Sequence, residues 1–321
     1  MTGLTALFLI VLPVFLVVGS GYLSVRTKVF PDEGVTALVK FATGIAVPVL
    51  LFRSIYGLDL GRALEPGLLA SFYTGALASF ALGTLVARKV FGRRPGEAVA
   101  VGFCALFSNS VLLGLPIMSR AYGDVALEPA FAIIAFHAPF CYLVGILAME
   151  LSRRDGAPIG VALRRTADAM FHNALTLGIA AGFAFNLLGI VLPEPVLAAV
   201  DLIARAGLPV ALFALGGVLT RYKLAAAVPE ALTVSLISLF VHPAIAWVLA
   251  VKVFALSDEF TRAAVLIAAM PTGVNGYVFA AMYDRAVQAA ASTVLLGTAL
   301  GILSITFWLW VLGGDALAPL P

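Results

Sequence analysis

From Gly3 to Leu312 the chain is a succession of apolar stretches, each long enough to cross a bilayer as a helix and separated by short charged links. A spanning helix takes about 20 apolar residues. Ten windows meet that length, at residues 3–23, 33–56, 66–91, 97–120, 127–151, 167–191, 196–219, 227–254, 261–284 and 288–312. No link is long enough to hold a soluble domain, so the work of the protein is done within the membrane. Composition agrees: 62% of residues are hydrophobic and 12% charged, against a charged share of about a quarter in a soluble globule. The expected fold class is an all-α integral membrane protein with ten transmembrane helices. The first window has no basic residue before it and no small-residue cleavage site after it, and reads as a first helix, not a removable signal. Cys104 and Cys141 fall inside windows and read as small buried apolar residues, with no disulfide framework.

Orientation follows from the basic residues, because cytoplasmic links are enriched in Lys and Arg. The links after windows one, three, five, seven and nine hold Arg26, Lys28, Arg88, Lys89, Arg93, Arg94, Arg153, Arg154, Arg164, Arg165, Arg221, Lys223 and Arg285, thirteen in all. The opposite side holds five, namely Arg53, Arg62, Arg120, Lys252 and Arg262. Both termini are therefore expected outside the cytoplasm. The compact form suits a bacterial inner (plasma) membrane. The formal charge of +3 bears on topology, and no nucleic-acid partner is expected.

Two windows cannot be uninterrupted helices. Residues 105–118 read ALFSNSVLLGLPIM and place Ser108, Asn109, Ser110, Gly114 and Pro116 in the middle of an apolar run. Asn carries polar groups that are costly in hydrocarbon unless paired, and Pro lacks an N–H and clashes with the preceding turn. Residues 268–280, AAMPTGVNGYVFA, repeat the pattern with Pro271, Thr272, Gly273, Asn275 and Gly276. At 1.5 Å per residue, Asn109 lies about 18 Å along the fourth helix from Glu97, and Pro271 and Asn275 lie about 15 and 21 Å along the ninth from Thr261. Both breaks thus fall near the midplane, where freed backbone is tolerated only if protein buries it or it lines a wet cavity. This pair is the candidate binding site.

An internal echo supports the pairing. AVPVLLF at 46–52 reappears as GLPVALF at 207–213, aligning Pro48 with Pro209 at a shift of 161 residues, or five helices. An odd number of helices reverses the direction of the second copy, so the expectation is two inverted five-helix repeats, residues 1–156 and 157–321, with crossed, broken helices 4 and 9.

The remaining polar residues have plainer readings beside functional ones. His137, in FHAPF, lies about 15 Å into the fifth helix; it reads either as a proton-coupling group or as a neutral ring bonded to a neighbouring helix. His242, in VHP, reads as packing, and His172 as interfacial. Asp201 and Arg205 are spaced four apart and are expected to pair with each other. Trp308 and Trp310 read as an interfacial belt.

The motifs SNSVLLGLPI at 108–117, HNALTLGIAAG at 172–182, LPVALFALGGVL at 208–219 and MPTGVNGYVFAAMYD at 270–284 resemble the auxin efflux carrier family, including its bacterial malonate and organic-acid permeases. The resemblance covers nearly the whole chain in order. It implies a scaffold of helices 1, 2, 6 and 7, carrying Pro48 and Pro209, which often forms a homodimer. It also implies a mobile transport domain of helices 3–5 and 8–10. By position, Asn109 and Pro116 match the family's helix 4 crossover, and Pro271 and Gly273 its helix 9 crossover. The long cytoplasmic loop of the plant carriers is absent.

The function expected is secondary transport of a small organic anion by an elevator-type motion. Half-helices that begin at the midplane present N–H groups and a positive dipole end. Ser108, Asn109, Ser110, Thr272 and Asn275 supply donors, while Gly114, Gly273 and Gly276 admit backbone, and Tyr277 reads either as packing on the ligand or as an aromatic packed at a helix interface. No Lys or Arg lies near the midplane to clamp a dianion. The absence of Asp or Glu there argues against a sodium-coupled carrier of the bile-acid symporter type. An intramembrane enzyme would need a nucleophile with its base, paired acids or metal ligands, and three scattered histidines do not supply them. No catalytic residue, metal or cofactor is expected. Two alternatives remain: a sensor that binds an organic acid without moving it, and a sodium-coupled carrier of the bile-acid symporter type whose ion is held by carbonyls and hydroxyls alone.

Overall fold

The computed structural model describes residues 3–58, 60–63, 65–152, 164, 174–224 and 228–313. Its main helices run, in chain order, α1 (Gly3–Arg26), α2 (Asp32–Tyr56), α3 (Pro66–Lys89), α4 (Pro95–Leu106), α5 (Leu115–Tyr122), α6 (Leu127–Ser152), α7 (Ala174–Leu187), α8 (Glu194–Leu219), α9 (Val228–Val253), α10 (Asp258–Ala268), α11 (Val274–Tyr283) and α12 (Val287–Val311). Among the described residues, seven of these (α1, α2, α3, α6, α8, α9 and α12) are long and apolar enough to cross a membrane. The chain is thus an all-helical, multi-pass membrane protein. The fourth and ninth windows are each split in two, as α4 with α5 and α10 with α11. The sixth gives α7, and His172 just before it lies outside the described residues.

Prolines shape these helices in a consistent way. Three π turns, Ala42–Ala46, Ser110–Gly114 and Ile237–Val241, each end two residues before a proline, at Pro48, Pro116 and Pro243. Each is closed by an N–H that reaches back five residues: Val47 to Ala42, Leu115 to Ser110, and His242 to Ile237. A proline ring crowds the carbonyl four residues back and offers no N–H. Widening the turn before it relieves that crowding while the helix continues. Pro116 therefore starts the second half-helix, and the break itself lies upstream, where Phe107 is extended at φ −92 and ψ 97.

The chain forms two compact units. One comprises Pro13–Leu64 and Ala167–Arg221, so it holds most of α1 with α2, α7 and α8, and includes buried Pro48 and exposed Pro209. Small residues bring its helices together, as expected where lipid supplies no hydrophobic drive. Gly21 faces the Phe213 carbonyl and Gly216 the Val18 carbonyl so closely that a Cβ at either would strike main chain. Asn186 sets Nδ2 2.9, 3.1 and 2.8 Å from the carbonyls of Ile55, Tyr56 and Leu58, so its two amide hydrogens are shared among the carbonyls that gather where α2 ends. The expected pairing of Asp201 with Arg205 is corrected: Asp201 accepts from Arg53 Nε at 2.7 Å. A cross-helix guanidinium with a good approach displaces the four-residue spacing as the guide to its partner.

The other unit comprises Met1–Leu12, Glu65–Thr166 and Tyr222–Pro321 and includes α3–α6 and α9–α12. Phe103 of α4 stacks on Phe279 of α11 at 3.9 Å with planes 12° apart. On the side of the Arg-rich links, Arg93 grips Glu230 at the start of α9 through Nε (3.0 and 3.2 Å) and Nη2 (2.7 Å). These bonds raise the Arg93 pKa above its ordinary value, so the charge is permanent. Cys104 and Cys141 are free and buried. Trp308 is not a belt residue: it is buried and donates its indole N–H to the Leu239 carbonyl at 2.8 Å. Trp310 is exposed.

Candidate functional site

Both breaks lie in the larger unit and pair with each other. The extended residues around Ser108 and Thr272 form an antiparallel bridge. Within it, Asn109 N–H donates to Pro271 O at 2.8 Å and Gly273 N–H to Phe107 O at 2.9 Å. Groups freed by unwinding one helix thus satisfy those freed by the other, as a low-dielectric interior demands. Two side chains complete the joint. Thr272 Oγ1 donates to Cys104 O at 2.6 Å, capping a carbonyl in the last turn of α4. His137 Nε2 donates to Ser108 O at 3.1 Å, with the Ser108 hydroxyl 3.5 Å away.

Other groups at the joint are left over. The helical turns that begin at Ser110 and at Val274 have no side-chain cap; the Ser110 N–H turns back to Ser108 O and the Gly276 N–H to Gly273 O, each at 2.9 Å, while the other N–H groups of these first turns and the positive dipole ends stay available. Asn109 is 5% exposed and its Nδ2 has no partner among the described residues. Asn275 accepts from Tyr142 OH at 3.3 Å through Oδ1, which leaves its amide hydrogens free of that contact. Ser108, Ser110 and Thr272 are also buried. The result is a neutral, donor-rich centre. Among the described residues no group of three or more His, Cys, Asp or Glu could hold a metal ion.

The structure thus brings Ser108, Asn109, Ser110, Pro271, Thr272, Gly273, Asn275 and His137 together, and it changes the part played by some of them. The Thr272 hydroxyl hydrogen is already given to main chain. A Cβ on Gly114 would meet Ile267 Cδ1 at 2.9 Å, and one on Gly276 would meet Thr272 Cγ2 at 2.8 Å and Cys104 Sγ at 3.2 Å. These two glycines make room for neighbouring protein. Pro116 sits past the π turn, and Tyr277 packs on Tyr222 at 4.9 Å. Tyr142 is a residue the sequence did not single out. A lone tyrosine within an apolar helix carries no spacing signal, and only the fold sets it against Asn275.

His137 is enclosed. Phe107, Phe72 and Tyr73 surround its ring at 4.7, 5.5 and 6.5 Å. Its second nitrogen, Nδ1, lies 3.7 Å from Cys141 Sγ, so both ring nitrogens have neighbours able to hydrogen-bond.

A multi-pass helical protein in which two broken helices join at a buried polar centre has the construction of a membrane transporter. The chain belongs to the membrane transport protein family, matching it over residues 6–159 and 165–309. It is 27% identical over 312 residues, 96% of each chain, to a Rhizobium meliloti protein named "Putative malonate transporter". It is 28% identical over 309 residues to an uncharacterized transporter of Methanothermobacter thermautotrophicus, covering 94% of this chain and 97% of that one. To auxin efflux carrier component 8 of Arabidopsis thaliana it is 23% identical over 337 aligned residues, covering 89% and 91%. The resemblance read from the motifs is borne out, and family and relatives alike carry the names of transporters.

Proposed function

We propose that this protein is a secondary transporter that carries a small organic anion, a carboxylate such as malonate or an auxin-like acid, through the joint of the two broken helices. The observation that carries this reading is Asn109 Nδ2, a buried donor with no partner among the described residues, set between two uncapped helix starts. A carboxylate needs several donors and is favoured by positive dipole ends. Asn109, Ser110, the Asn275 amide and the first N–H groups of α11 supply them. Ser108, Thr272, Gly114, Gly273, Gly276, Pro116 and Pro271 hold the joint in shape, and Tyr277 walls one side. A proton on His137 would charge the ring that holds the Ser108 carbonyl, which makes it the candidate for proton coupling. The unit carrying the joint acts as the transport domain and the unit of α1, α2, α7 and α8 as the scaffold, in an elevator-type cycle. The scaffold is the candidate homodimer surface. The whole is read as ten helices in two inverted repeats, in the inner membrane, with both termini outside the cytoplasm.

The test is uptake of labelled carboxylates, malonate and an indole acid among them, into proteoliposomes under imposed proton, sodium or potential gradients. Wild type should show saturable flux, and Asn109→Ala should lose most of it while remaining folded. Binding without flux under every gradient would instead identify a sensor.

A further inference from the structure

The two cysteines of the larger unit use their thiols differently. Cys104 gives its hydrogen to Ala100 O at 3.5 Å, one helical turn back, as Ser and Thr hydroxyls do within helices. Cys141 does not. Its Sγ lies 3.7 Å from His137 Nδ1, and among the described residues that nitrogen is the thiol's one hydrogen-bond partner. Residues four apart share a helix face, and a helical side chain leans over the turn before its own Cα. Helix α6 itself thus lays the Cys141 sulfur back on the His137 ring.

The direction of this bond follows from the other ring nitrogen. Nε2 lies 3.1 Å from the Ser108 carbonyl, which only accepts, so in the neutral ring Nε2 carries the hydrogen and Nδ1 is a lone pair. The thiol is therefore the donor at Nδ1. His137 and Cys141 are 2% and 0% exposed, and a charge there without a new partner would be costly. The other titratable groups nearby are engaged elsewhere. Tyr73 OH donates to Ile133 O at 2.8 Å and Tyr142 OH to Asn275 Oδ1 at 3.3 Å. His242, on the far side of the Phe72 ring, places Nε2 3.1 Å from Phe72 O. The charged residues of the helices packed against α6 lie toward their ends: Arg88 and Lys89 of α3, Glu97 of α4, Arg120 of α5, and Asp258, Glu259 and Arg262 of α10.

We propose that Cys141 is the positioning residue of His137: its S–H occupies the Nδ1 lone pair, holds the ring in the neutral form that grips the Ser108 carbonyl, and must turn away before the ring accepts a proton. The incoming proton bonds to the Nδ1 lone pair. The thiol keeps its own hydrogen, which rotates about Cβ–Sγ, and the new Nδ1–H faces the sulfur, a weak acceptor. No bond to sulfur is broken, and Nε2–H stays on the Ser108 carbonyl throughout. Because the present contact exists only with a neutral ring, it favours that ring, and its removal shifts the balance toward the charged one. The joint is thereby kept neutral until the thiol yields.

The use of this thiol in coupling rests on the transport reading, whereas its contact with the ring does not. Infrared spectroscopy of the protein in bilayers reads the S–H stretch, in a region free of other protein bands, with Cys104→Ala and Cys141→Ala assigning the two signals. Over a pH series the Cys141 band of wild type should shift as His137 is protonated, while the Cys104 band, whose acceptor is a carbonyl, should stay fixed. Solid-state NMR of 15N-histidine protein follows the ring itself, with His137→Gln assigning the signal. In Cys141→Ala the Nδ1 resonance should move toward that of a free lone pair, and the titration should move to higher pH by about half a unit, about a threefold gain in proton affinity. The proposal is overturned by a Cys141 band indifferent to pH while His137 titrates, by a His137 that never titrates in the folded protein, or by a titration that in Cys141→Ala stays in place or moves to lower pH. Should Cys141→Ala fail to fold, the infrared series on wild type still decides. Neither readout requires flux, so failure of transport would count against the carrier reading alone.

Discussion

Replacing Thr272 by Val isolates one bond that ties the two broken helices together. Valine keeps both γ positions filled, including the Cγ2 site against which Gly276 packs, and removes only the hydroxyl that donates to Cys104 O at 2.6 Å. That carbonyl belongs to the last turn of α4, where no main-chain donor follows in helical register. It would remain buried and unpaired. Leaving such a group unsatisfied costs about 1–3 kcal/mol, whereas hydrogen bonds between membrane helices average about 0.6 and reach about 1.7 kcal/mol. Because the acceptor here stays enclosed by folded protein, the upper membrane figure is the better guide, and we expect a loss of about 1.5 kcal/mol. Equilibrium unfolding in mixed micelles would measure it, with Thr272→Ser as the control that keeps the hydroxyl. Equal stability of Thr272→Val and wild type, with Thr272→Ser less stable than either, would refute the reasoning, since it would make the methyl and not the hydroxyl the useful group.

Two further substitutions probe other joints. Arg93→Ala strands the Glu230 carboxylate, only 3% exposed, and should cost about 3–5 kcal/mol. Glu230→Gln leaves a guanidinium that is 29% exposed and can turn to water, so its cost should be nearer the roughly 1 kcal/mol of a surface pair; thermal melting of the two variants would reveal a reversed order. Gly276→Ala puts a methyl 2.8 Å from Thr272 Cγ2, in a side chain fixed by its own hydrogen bond. Overpacking of that kind costs about 1–3 kcal/mol, and both melting temperature and flux should fall, while an unchanged protein would mean the joint is looser than its contacts indicate.

Much of this protein is legible in its sequence because the bilayer imposes simple rules. Twenty apolar residues in a row have few alternatives to a spanning helix, and an Asn within such a run demands a partner. That demand singles out Asn109 and Asn275, which the structure sets beside the main-chain bridge between the two broken helices. It did not reveal that the freed main chain would be satisfied mostly by itself, through Asn109 with Pro271 and Phe107 with Gly273, because pairing between residues so distant in the chain leaves no local trace. Pro116 was misplaced by a rule that treats proline as the break. The π turn before it lets the helix run through. Asp201 was assigned to Arg205 by spacing, yet Arg53 on another helix reaches it. Trp308 fits an aromatic belt by its position near a helix end, but the Leu239 carbonyl draws its N–H inward. In each case local spacing was outweighed by a partner that only the fold brings near.

The central claim is that the joint of the broken helices is the substrate site and opens to each side of the membrane in turn. Ser110→Cys, in a background with Cys104 and Cys141 replaced by Ala, tests it most directly. The protein is oriented in proteoliposomes and treated with a membrane-impermeant thiol reagent from either face, with and without malonate. The account predicts labelling from both faces and protection by malonate. Labelling from one face only, unchanged by malonate under every gradient, would contradict it.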